Sequence, residues 1–199
     1  MAKNQIFNVA VSLVIVASLA TLGQADVVDK SLMQELVTDF KQFSAAALCA
    51  ADHFGDADAD VPGNVDNVIE GGIGYLQQFL GVPLSDEEYI RQSILVTRTA
   101  AANMGETHEK CANVSPDYVA SNPAAIGSEL SAAGKVLLEV SENLACVLQN
   151  GDAEALEQVP SFFAKIINNI AADESDDQVN KLFRHEKALA NDLGGLVSC

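Results

Sequence analysis

Apolar positions recur at three- and four-residue steps along most of the chain, the spacing of helices that bury one face. Met33, Leu36, Val37, Phe40, Phe43, Ala47 and Leu48 form the first such stripe, and Ser31 with Gln34 makes a capping-box pattern at its start. Residues 54–64 (FGDADADVPGN) interrupt it. A weaker helix is expected at 65–80, where Gly71, Gly72 and Gly74 favour a kink or a late start. Ser85 and Glu88 cap a third helix, predicted over 86–110, with Ile90, Ile94, Ala101, Met104, His108 and Cys111 along one side.

Asn122 and Pro123 predict the start of a fourth helix. Leu130, Leu137 and Leu144 then recur every seven residues with Ala133, Val140 and Val147 between them, as in bundle packing, and Gly151 ends the run. A short helix is expected around Phe162, Phe163, Ile166, Ile167 and Ile170. The last one, capped by Ser175 with Gln178, turns Val179, Leu182, Phe183, Leu189 and Leu193 inward. No long stretch alternates with period two. The pattern predicts an all-α, disulfide-stapled bundle of five to six helices.

The first twenty-five residues stand apart. Lys3 precedes the apolar run Val9–Leu22, and Gly23 and Ala25 sit at the positions a signal peptidase reads. Residues 1–25 are therefore expected to be a secretory signal peptide, and 26–199 a single secreted helical domain. Without Lys3, ten Lys and Arg stand against 28 Asp and Glu, a charge of about −18. Such a surface repels nucleic acid and anionic membranes and suits basic partners or divalent cations.

Cys49, Cys111, Cys146 and Cys199 are an even set, favouring two disulfides in a secreted chain. An internal repeat, 26–115 and 116–199, is suggested by Ser44–Cys49 followed by Gly55-Asp56-Ala57-Asp58 and Val61-Pro62. Ser141–Cys146 is followed in the same way by Gly151-Asp152-Ala153-Glu154 and Val159-Pro160, and His108-Glu109-Lys110 matches His185-Glu186-Lys187. Of three possible pairings, only Cys49–Cys111 with Cys146–Cys199 treats two such halves alike.

Candidate chemistry is sparse. Asp56, Asp58 and Asp60 alternate as calcium ligands do. Read as an EF-hand from Asp58, however, the loop has Pro62 fifth and Ile69 twelfth, where a bidentate Glu is required, so a solvated loop is favoured. His53 lies beside this loop and can titrate with it, while His108 reads as a packed histidine; neither His-Glu-Lys supplies the second histidine of a zincin. No nucleophile elbow or phosphate loop occurs, so no enzyme and no cofactor is expected. Asn113-Val114-Ser115 is a glycosylation sequon at Asn113.

The helix carrying Phe162, Phe163, Ile166, Ile167 and Ile170 is apolar on more than one face, and Ile69, Leu76 and Phe79 lie on the glycine-rich segment. These eight residues are the candidate lining of an apolar site. The leading expectation is a non-enzymatic binding protein holding an apolar small molecule between helices. The alternative is an extracellular structural or interaction protein whose acidic surface meets a basic protein partner or calcium.

Overall fold

The computed structural model describes residues 29–121 and 127–198. Among the described residues six helices make the bundle: α1 (Lys30–Asp52), α2 (Val61–Leu76), α3 (Asp86–Gly105), α4 (Ser128–Asn150), α5 (Ala153–Ala172) and α6 (Gln178–Gly194). Two short 3-10 turns, Gln77–Phe79 and Glu109–Cys111, follow α2 and α3. There is no strand among the described residues, and no described helix is long and apolar enough to cross a membrane. The predicted signal segment 1–25, the Asn122-Pro123 helix start and Cys199 lie outside the described residues.

The second half of α1 is the centre of the molecule. Every residue from Phe43 to Ala51 is buried, most of them alanine, so neighbouring helices can approach on all sides. α3 and α4 pack directly on it. At Gly134 the α1 and α4 surfaces come close enough that an added Cβ would stand 2.9 Å from Leu48 Cγ. The heptad positions of α4 all turn inward: Leu130, Ala133, Leu137, Val140, Leu144 and Val147 are buried.

The helices pair in a way that treats the two halves similarly. α1 lies on α3 as α4 lies on α6, α2 meets α3 as α5 meets α6, and α3 touches α5 as α6 touches α2. The α1–α4 seam carries a reciprocal pair of hydrogen bonds. Ser44 Oγ donates to Gly134 O at 2.7 Å, and Ser141 Oγ donates to Val37 O at 3.2 Å. Serine and acceptor in each bond are displaced along the chain by the same interval. The Val-Pro pairs do not correspond, since Pro62 stands in the first turn of α2 and Pro160 inside α5.

Several predicted boundaries shift. Asp29, not Ser31, caps α1, accepting from Ser31 N at 2.9 Å. α2 starts earlier than expected, because Asp60 accepts from Gly63 N and proline in a first turn has no amide to satisfy. Its glycines cause no break. α3 stops at Gly105, so His108 and Cys111 sit on the following turn rather than on the helix. α5 is a full helix of 20 residues, capped by Asp152. Asp177, not Ser175, caps α6.

Candidate functional site

Beyond the end of α1 the chain forms the 53–60 loop, and beyond the end of α3 it doubles back through 106–111. The doubling back is tight: a Cβ on Gly105 would come within 2.9 Å of Cys111 O. This return carries Cys111 to Cys49, and the two form a disulfide with their Cα atoms 5.8 Å apart. Asp52 draws the next segment onto the same corner, accepting from Tyr118 Oη at 2.7 Å and Ser121 N at 2.8 Å. Burial, reinforced by that carboxylate, raises the Tyr118 phenol to about 12.

The staple brings two histidines face to face. His53 follows Cys49 by four positions and His108 precedes Cys111 by three, and their rings stack with centroids 4.4 Å apart and planes 7° from parallel. Asp56 closes the cluster. Its Oδ2 accepts from His53 Nδ1 at 2.9 Å and lies 3.4 Å from His108 Nε2 and 3.9 Å from Lys110 Nζ. The hydrogen bond from His53 is the largest of the influences that hold the Asp56 carboxyl below its ordinary range.

Partners assign the tautomers. His108 Nδ1 accepts from Lys110 N at 3.3 Å, which leaves the ring proton of a neutral His108 on Nε2, facing Asp56. His108 is buried and Asp56 is 42% exposed, so the cluster opens toward solvent. Asp56 and His108 form one wall of a cleft of about 540 Å³ lined also by Asp58, Glu106, Thr107, Glu109 and Lys110.

The ligand atoms of His53, Asp56 and His108 all lie within 4.8 Å of one another, and so do those of Cys49, His53 and Cys111. Two imidazoles and one carboxylate are donors for a first-row divalent cation. Calcium takes six to eight oxygens, which this set does not provide. Asp58 and Asp60 join neither group among the described residues; Asp60 is committed to capping α2 and Asp58 is exposed. Of the three aspartates predicted to act together, Asp56 alone belongs to the histidine cluster. His108, read from sequence as a packed histidine, is buried but is also one of its donors.

The remaining predicted residues fall elsewhere. Ile69, Leu76, Phe163, Ile166, Ile167 and Ile170 are buried members of the common core, Phe162 is half-buried against it, and Phe79 is half-buried beside Tyr75. The structure does gather them, because α2, the Gln77–Phe79 turn and α5 pack on one another. Asn113 is exposed beyond Cys111. Cys146 is disulfide-bonded, but its predicted partner Cys199 lies outside the described residues. His185 is remote from the cleft and donates through Nε2 to Asp173 at 2.7 Å. Asp173 also accepts from Ser175 N and Arg184 Nη2; with Ser175 contributing most, its carboxyl is held down at about 2.

No family model, no curated protein and no solved structure matches the chain.

Proposed function

We propose that this is a secreted, non-enzymatic binding protein whose working site takes a divalent first-row cation such as Zn²⁺ on His53, Asp56 and His108. One observation carries the reading: three donors of suitable chemistry converge within 4.8 Å on segments joined by a disulfide. Three protein ligands leave one tetrahedral position for water or for a donor from a partner. The acidic surface raises the local concentration of cations at the cleft.

Binding replaces protons already placed. Without a cation, His53 Nδ1 and His108 Nε2 direct their protons at Asp56. Coordination through those atoms moves each ring proton to the opposite nitrogen, and the Lys110 amide then loses its acceptor on His108. Affinity is correspondingly below that of a site preorganised with the proton already on the far nitrogen.

Isothermal titration of the disulfide-intact chain from residue 26 with Zn²⁺ tests the reading. One equivalent should bind, and His53→Ala, His108→Ala and Asp56→Asn should each weaken binding by at least about tenfold, the scale of losing one ligand or its support. Zinc binding that survives both histidine substitutions unchanged overturns it.

A second reading, an apolar ligand between α2 and α5, rests on the gathering of the eight apolar residues there. Six of them already fill core positions, so a ligand among them requires those side chains to move apart. The cation site needs its two imidazoles to turn out of their stack and shift their protons, a smaller change at a half-exposed corner than parting core side chains, and the cation reading is preferred for that reason.

A further inference from the structure

The disulfide and the histidine cluster overlap at His53, which belongs to both convergent groups. The sequence around the joint reads Cys49-x3-His53 on one segment and His108-x2-Cys111 on the other. In the oxidised chain the two sulfurs are bonded and offer no thiolate. Once reduced, they stand beside His53 with their Cα atoms 5.8 Å apart. Two thiolates on one tetrahedral zinc are about 3.8 Å apart, from Zn–S bonds of about 2.3 Å, a separation that side-chain rotation alone supplies from this spacing.

We propose that the joint is a redox-alternating clasp: reduction of Cys49–Cys111 creates a second zinc site made of Cys49, Cys111 and His53, with water in the fourth position. A dithiol supplies the two electrons and two protons. The Cys49–Cys111 bond breaks, two cysteine thiols form and the reductant leaves as its own disulfide. Zn²⁺ then displaces the two thiol protons to solvent and binds two thiolates and a neutral imidazole. Oxidation by a disulfide runs the sequence backwards, releasing Zn²⁺ and re-forming the bond. The end of α1 and the return from α3 are thus held together in either state, by sulfur or by metal.

The two sites share His53 but stand or fall separately. The oxidised-state site needs His108 and Asp56 and no thiolate, whereas the reduced-state site needs both cysteines and not His108.

The test adds Co²⁺, whose thiolate charge-transfer absorption reports Co–S bonds, to the reduced chain carrying Cys146→Ser and Cys199→Ser. The absorption should appear with one equivalent, persist in His108→Ala, and be lost in Cys49→Ser and weakened at least about tenfold in His53→Ala. No thiolate absorption, or absorption indifferent to His53, overturns the proposal. Should the double-serine chain fail to fold, zinc protection of the reduced natural chain is read by thiol alkylation and peptide mass mapping. Cys49 and Cys111 should then be alkylated at least about tenfold more slowly with Zn²⁺ than without it, and Cys146 should be unaffected. Equal protection of all the cysteines, or of none, overturns the proposal.

Discussion

At the scale of single residues, the cleft is decided by a few charges. Lys110 is the cation nearest the cluster, 3.9 Å from Asp56 Oδ2, and it repels any metal that Asp56 binds. It is 60% exposed, so solvent screens the repulsion. Lys110→Gln should therefore tighten Zn²⁺ binding by about two- to fivefold in a calorimetric titration, while Lys165→Gln, on α5 and paired with Asp192, should leave it unchanged.

Glu186 is the other residue of note, a carboxyl buried in α6 with no hydrogen-bond partner for Oε2. Burial raises it from 4.5 to about 8. The folded state thus keeps a proton that the unfolded chain gives up, so stability is full below pH 4.5 and declines as pH rises toward 8. Across that window Glu186 increasingly works against stability as pH rises. Glu186→Gln should flatten this slope in urea unfolding followed from pH 5 to pH 8 and raise the midpoint at pH 7.

Both histidines of the cluster were legible as residues but not as neighbours. The signal that joins them lay in the cysteines: if Cys49 pairs with Cys111, side chains four and three positions away must meet. The repeat singled out that pairing among the three and the structure contains it, but the two histidines were read separately, so their juxtaposition was not drawn from it.

At the scale of elements, the all-α class and the inward stripe of α4 followed from periodicity, because packing rewards that spacing directly. Boundaries were harder. Around Ser31 and Ser175 an aspartate two positions away supplied the capping oxygen instead, at Asp29 and Asp177. At Pro62 a residue that breaks helix interiors stood in a first turn, where it is tolerated.

The seam between α1 and α4 could not be read from periodicity, since it depends on serine hydroxyls donating to carbonyls across the helix pair. Ser44→Ala and Ser141→Ala should each lower stability by about 0.5–1.5 kcal/mol, the net value of a buried hydrogen bond. Chemical denaturation of the single and double variants checks both effects and their additivity.

For the whole molecule, the staple has two roles. It closes the chain across a separation of 62 residues, and it holds together the segments that carry the histidines. Cys49→Ser with Cys111→Ser should lower stability by about 2–4 kcal/mol in denaturant unfolding. In the variant that remains folded, Zn²⁺ binding through His53 and His108 should weaken, because the stack is no longer pinned from both sides.

The most direct measurement is zinc-edge X-ray absorption on the oxidised chain from residue 26 with one equivalent of Zn²⁺. The account predicts two imidazole nitrogens at about 2.0–2.1 Å and oxygen at about 2.0–2.2 Å, with no sulfur in the first shell. A shell of oxygens alone, or one unchanged by His53→Ala, would contradict it.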